Sequence, residues 1–266
     1  MRNIVRNPED QFPETFKSLW LNGPEHGVDS CNCLISRVPP GHKGPRLHTH
    51  PVDQFYFVIE GETTVQIGRD VFKVGPMTMV RFPAGTPHCN WNETDAYEKH
   101  FELMVPRPPA DRLIEYWDGD APEVPNAAAL ITPVTEDGYT MGRLFASQHL
   151  ARRETGSEHA RIYAAKVGPG AGGPALHFHD FDQFYYVLGG ELTVQIGHEK
   201  AVAHPGDLVM LPKGVVHTNL NEGAGDEIHL AILVPEPLAG EQFDYRVSIA
   251  YSDEKPFINE PEAARS

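Results

Sequence analysis

The sequence predicts an all-β protein of two tandem barrel or jelly-roll domains, and three observations carry that expectation. The chain repeats itself: residues 38–106 align without a gap on 167–235, at a constant separation of 129, with more than two residues in five identical. A repeat of that length makes two similar domains rather than a solenoid of short units. Glycine and proline, 24 of each, punctuate short apolar runs at regular intervals, as strands joined by turns require. No long stretch carries the i, i+3, i+4 apolar spacing of an amphipathic helix.

Taken in order, residues 1–30 form a lead-in whose 13–21 segment reads as a strand or a short helix. The first domain, 31–106, opens on a strand at 32–38 and a Pro-Pro-Gly turn. Strands follow at 55–59, 63–67, 78–82 and 98–105, separated by Gly61, Gly68 and the Gly75-Pro76 turn. Residues 107–130 read as a linker with one short helix near Leu113. The second domain, 131–236, mirrors the first with strands at 161–167, 184–188, 192–196, 207–211 and 227–234. In the tail, 237–266, Phe243, Tyr245 and Phe257 are expected to fold back onto the body, and the last seven residues to be disordered.

The formal charge of −15 argues against nucleic acid as a partner, because neutralising phosphates needs a basic face. No apolar run is long enough to span a bilayer, and the charged, proline-bearing start is unlike a signal peptide. The expected setting is therefore the cytoplasm, with no membrane partner. Cys31, Cys33 and Cys89 cannot build a disulfide framework and suit a reducing compartment. Cys31 and Cys33 are expected to pack rather than bind metal, and Cys89 to point away from any ion.

The chemistry lies in a phrase that occurs twice. His48 and His50, then Gln54, recur as His177, His179 and Gln183, and His88 and His217 follow within Pro-x-Gly-x-x-His-x-Asn-x-Asn. Histidines two apart on extended backbone project to one face, where they can share an ion. The expected metal ligands are thus His48, His50, Gln54 and His88 in one half and His177, His179, Gln183 and His217 in the other. On the strand at 98–105, Glu98, His100 and Glu102 share one face and Phe101, Leu103 and Val105 the other. His100 and its counterpart His229 are candidates for moving protons beside the ion, or else for a repeated structural bond. Tyr56 and Tyr185 fall on the ligand face and are candidates to touch substrate, against the alternative of packing in the barrel. Arg37, Lys166 and Arg81 are read as surface cations, and Asp53 and Asp182 as pointing away from the ligands.

These motifs resemble those of cupins, and the whole chain resembles a bicupin. His48, His50, Gln54 and Gly61 match the first cupin motif, as do His177, His179, Gln183 and Gly190. Gly206, Pro212, Gly214, His217 and Asn221 match the second motif, whereas the first half has Met77 in place of the opening glycine. The resemblance implies two double-stranded β-helix domains, each with a divalent transition metal at its mouth. Fe2+ is the expected ion, with Mn2+, Ni2+, Co2+, Cu2+ and Zn2+ compatible with the same donors. Gln54 and Gln183 stand where most metal-binding cupins have Glu, so the ion keeps its full charge and should prefer a small anionic substrate. The leading expectation is a dioxygenase-type oxidoreductase acting on a chelating diketone, catechol or keto acid. The alternatives are an isomerase or lyase working without oxygen, and a non-catalytic binding protein. The second half, with its complete motif, is favoured for chemistry, and a homodimer is left open.

Overall fold

A computed structural model of the chain describes residues 1–248, so the expectations for Phe257 and for the final seven residues lie outside the described residues. The first half pairs a six-stranded sheet with a five-stranded one. In the former the order is Ile131–Pro133, Thr78–Phe82, Asp53–Glu60, Glu98–Val105, Asn32–Val38, Lys17–Trp20; in the latter it is Glu115–Tyr116, His48–Thr49, His88–Trp91, Thr63–Ile67, Asp70–Val74. The second half repeats this plan around Asp182–Gly189 and Glu227–Val234 in one sheet and His177–Phe178 and His217–Leu220 in the other. Neighbouring strands run antiparallel, in the arrangement of two jelly rolls.

Alternation along one strand shows how the layers stack. Phe55 and Phe57 enter a core shared by both halves, with Phe101 and Leu103 beside them and Ile162, Phe184, Tyr186, Leu230 and Ile232 opposite. Tyr56 and Val58 point the other way, into the barrel of the first domain with Val65, Ile67 and Val80. Because both faces of the central strands are covered, they read as continuous apolar runs rather than as alternating ones. Each buried Phe, Leu or Ile contributes about 1.5–3 kcal/mol on transfer from water. The expected packing of the two domains through their sheets is what this core consists of. Cys31 and Cys33 lie within it, with their sulfurs 4.0 Å apart.

The structural repeat extends beyond the sequence repeat. Lys17 pairs with Arg37 as Ala146 pairs with Lys166, again at a separation of 129, although these lead-in strands share little sequence. The 13–21 segment therefore contributes a strand. The outermost edges are exchanged: Ile4 and Val5 pair with Val209 and Leu208 of the second half, and Ile131–Pro133 pairs with Thr78–Phe82 of the first. Asp207 anchors the first exchange, accepting from the backbone N–H of Asn7 at 2.8 Å and the Arg6 guanidinium at 2.5 Å.

Three expectations are corrected. No helix forms near Leu113; the chain there is extended, and Glu115–Tyr116 pairs with His48–Thr49. The 55–59 and 184–188 strands are longer, Asp53–Glu60 and Asp182–Gly189, because Asp53 and Gln54 stay in register with Val105 and Met104, as Asp182 and Gln183 do with Val234 and Leu233. The 207–211 strand is Leu208–Leu211, since Asp207 is spent on its turn.

Met77 adopts φ 58°, the left-handed conformation that Gly206 takes at φ 90°, so the turn survives its unusual residue. A stability test follows from two glycines of similar backbone. Gly190 has φ 71° and a β-carbon there would lie 2.5 Å from the Asp226 carbonyl, whereas Gly197, at φ 58°, faces nothing within 4 Å. We expect Gly197→Ala to cost about 1–2 kcal/mol for the left-handed backbone alone, and Gly190→Ala distinctly more, as read from denaturant midpoints.

Candidate metal centres

Each site lies between the two sheets of its barrel. His48 sits directly across the ladder from His88, and His177 from His217. His50 and His179 follow at the strand ends, and Gln54 and Gln183 reach in from the opposing sheet. All six imidazoles and both amides are buried. The expected ligands thus converge, and in each domain the three imidazoles form a group whose ligating atoms lie within 4.8 Å of one another.

The tautomers decide what the convergence means. His48, His88, His177 and His217 each place Nδ1 2.7–2.9 Å from the carbonyl two residues back. His50 and His179 reach instead to the carbonyls of Leu113, at 2.5 Å, and Phe243, at 3.0 Å. A carbonyl only accepts, so every Nδ1 carries the proton and, in the neutral ring, every Nε2 offers a lone pair. Burial favours the neutral ring in five of the six. It lowers His48 to about 4 and His217 to about 3, and shifts His50, His88 and His179 downward as well.

Acceptors then face acceptors. His48 Nε2 lies 3.2 Å from His50 Nε2, and His88 Nε2 lies 2.8 Å from Gln54 Oε1. In the second site Gln183 Oε1 lies 2.9 Å from His179 Nε2 and 3.1 Å from His217 Nε2. Lone pairs crowded in this way repel unless a cation sits among them, and a three-imidazole, one-oxygen donor set fits a divalent transition ion.

Behind these ligands the domains differ. In the first, Gln54 Nε2 donates to Glu102 at 3.0 Å, which fixes the amide with its oxygen toward the imidazoles. Glu102 also accepts from Ser36 and lies 3.3 Å from His100 Nε2, while His100 Nδ1 is 2.7 Å from Glu98. Burial alone would lower His100, but Glu98 and Glu102 outweigh it and carry the ring up to about 10. Burial likewise opposes the charge on Glu102, yet His100 and Ser36 hold its carboxyl below the usual range. His100 is therefore a clamped imidazolium. In the second domain Ala165 and Ala231 occupy the positions of Ser36 and Glu102. Among the described residues His229 keeps only the Glu227 bond, 2.9 Å from Nδ1, and it lines a cavity of about 80 Å³ with His177, His179, Gln183 and Tyr185.

The remaining candidates fall into place around this frame. Tyr56 packs between Phe82 and His100, with ring centroids 4.9 and 4.4 Å away, while Tyr185 stands 4.6 Å from His229 at the cavity. Burial raises both phenols well above their ordinary value. Asp53 and Asp182 point away from the ligands, accepting from the backbone N–H of Ala84 and Lys213 and so holding each Pro-x-Gly turn. Asn92 and Asn221 bridge strands by donating to Val38 and Val167. Arg37 stacks on Tyr97, Lys166 pairs with Glu136, and Arg81 packs beside Gly156, so none of the three cations reaches a site. Cys89 turns toward Gln66.

Two segments close the sites, 113–116 in the linker, which sequence reasoning missed, and 243–246 in the tail, where Phe243 and Tyr245 fold back as expected but the closure of the second site was not foreseen. Neither carries a recognisable motif, because their service is rendered by backbone carbonyls. The role of Glu102 was half-visible: its face was legible, its contact with Gln54 was not.

Two outcomes follow. Replacing Glu102 with Gln should weaken first-site metal affinity about 10–100-fold and leave the second site unchanged, as measured by chelator competition in His177→Ala and His48→Ala backgrounds. In the metal-free protein His48, His50, His88, His179 and His217 also set an acid limit. Their folded values lie below 6.5, so the unfolded chain takes up protons first as pH falls. Their contribution to stability is full above about pH 6.5 and is lost toward about pH 4. Melting curves of chelator-treated protein at graded pH should show that decline, and bound metal should delay it.

The comparisons with known proteins agree with this geometry. The cupin domain family matches residues 34–105 and again 164–234, together more than half of the chain. Auxin-binding protein 4 of Zea mays is 23% identical over 133 residues, covering 46% of this chain and 64% of that protein. Among solved structures, oxalate decarboxylase of Bacillus subtilis at pH 4.6 superposes with a TM-score of 0.65 at 15% identity, covering 85% of this chain and 73% of that one. A point mutant of the same enzyme gives 0.67 at 16% identity, covering 86% and 75%. At such identity the likeness is one of fold. Among the described residues, no helix is long and apolar enough to cross a membrane. Two matched domains, each with its three-imidazole group and the same layered sheets, make this chain a member of the cupin family with a bicupin architecture.

Proposed function

We propose that the chain is a metal-dependent enzyme whose chemistry occurs in the second domain, on a small anionic molecule that binds the ion directly. The observation that carries this reading is the cavity beside His177, His179 and Gln183, into which His229 also opens. An ion held by four neutral donors keeps its positive charge and calls for an anion to balance it. By the measure in which one water needs roughly 10–15 Å³, the cavity of about 80 Å³ admits an acid of few atoms.

Two features favour isomerase or lyase chemistry over the dioxygenase expectation. Neutral donors disfavour the higher oxidation state that oxygen chemistry draws on. The cavity also holds an imidazole with one nitrogen tied to Glu227 and the other left to exchange a proton. When bound, the metal supplies Lewis-acid polarisation of a substrate oxygen. The protein's part is to exclude water with Phe145, Tyr163 and Phe243, to orient the substrate, and to move a proton at His229 Nε2. His100, clamped between two carboxylates, is a positioning residue for the first site. That site then serves structure.

The experiment is a panel of small keto, hydroxy and dicarboxylic acids with metal-loaded protein in an oxygen-electrode cell. We expect turnover without oxygen uptake, and a loss of about 10²–10⁴ in kcat for His229→Gln with metal content retained. Stoichiometric oxygen consumption would return the reading to a dioxygenase. Binding without turnover of any acid would leave a binding protein.

A further inference from the structure

The two sites are closed by straps that pair in the same way and carry opposite chemistry at their middle residue. In the first, Leu113 takes the His50 proton and Glu115 pairs with Thr49; in the second, Phe243 takes the His179 proton and Tyr245 pairs with Phe178. Between the two anchoring residues lies Ile114 in one strap and Asp244 in the other. Ile114 is 36% exposed. Asp244 lines the second cavity, and its Oδ1 is buried with no hydrogen-bond partner among the described residues.

That oxygen is 3.7 Å from His177 Nε2 and 3.5 Å from His179 Nδ1. Neither nitrogen can satisfy it. His177 Nε2 offers a lone pair, and the His179 Nδ1 proton is already given to Phe243. A buried acceptor left unpaired is destabilising, so a donor is wanted at this point of the cavity. Tyr163, Tyr185 and His229 line the same cavity, yet none of them hydrogen-bonds to that oxygen. A carboxylate arriving at the ion supplies no donor either, and a second carboxylate would be repelled.

On the reading proposed above, we infer that Asp244 is a specificity residue that selects a small carboxylate bearing a hydroxyl next to its acid group, such as a 2-hydroxy acid or the enol of a 2-keto acid. The carboxylate faces the ion side, and the hydroxyl donates to Asp244 Oδ1. Simple acids and dicarboxylates without an O–H at that place are discriminated against. The first site, with Ile114 in its strap, has no such preference.

The test is calorimetric titration of the full chain, loaded with Mn2+, with glycolate, acetate and malonate, for the native protein, Asp244→Ala and Asp244→Asn. The readout is the ratio of acetate to glycolate dissociation constants, because chelation of the metal by glycolate contributes to that ratio in every variant and cancels between them. We expect the ratio to be at least tenfold larger in the native protein than in Asp244→Ala. Asp244→Asn, which keeps the volume but offers a neutral acceptor, should fall between. Equal ratios in all three proteins, as when a metal-bound water already satisfies Asp244, would overturn the inference while leaving the proposed function standing. If no acid binds the metal-loaded native protein, both fall together.

Discussion

Each site depends on one repeated constraint: a backbone carbonyl fixes the proton of every site imidazole on Nδ1. Four of the six carbonyls come from two residues upstream, at Arg46, Thr86, Ala175 and Val215, so the local chain conformation presets the tautomer. The other two, Leu113 and Phe243, arrive from segments more than sixty residues away. Once the protons are so placed, each neutral ring points its Nε2 lone pair inward. The barrel then holds a concentration of acceptors whose mutual repulsion is relieved only by positive charge.

Two copies of this arrangement have been given different surroundings. The frame is duplicated with fidelity, down to the aspartates that hold the Pro-x-Gly turns and the asparagines that tie neighbouring strands. Three pairs of positions change the polar surroundings of the sites. Ser36 and Glu102 become Ala165 and Ala231, and Ile114 becomes Asp244. The first two changes empty a polar network that, in the first domain, immobilises both His100 and Gln54. The third brings a carboxylate to the open side of the second site. Anionic charge thus lies behind the ligands in one domain and before them in the other, and a low-dielectric interior makes that difference count.

The shared apolar core lets the halves diverge without separating. Phe55, Phe57, Phe101 and Leu103 of one meet Phe184, Tyr186, Leu230 and Ile232 of the other, and the exchanged edge strands tie each half to its partner's sheet. Edge exchange also covers backbone that would otherwise be free to pair with another chain.

The ligands were legible in the sequence because their geometry is local. His-x-His on an extended strand has one outcome, and a third histidine at a fixed distance repeated in both halves leaves little freedom in where it lands. The same holds for the strand at 98–105, whose alternation separated the Glu98, His100 and Glu102 face from the apolar one. Tertiary structure decided what depends on distant segments meeting. The extended run at 113–116 read as a helix, because nothing in its residues announces that a carbonyl is wanted at His50. Asp244 lay in a tail without motif, and only the pairing of Tyr245 with Phe178 brings it to the ion's side. Glu102 was one carboxylate among many until the ladder set Met104 beside Gln54 and turned Glu102 toward the amide. Periodicity fixes which way a side chain faces; only closure of the barrel fixes what it faces.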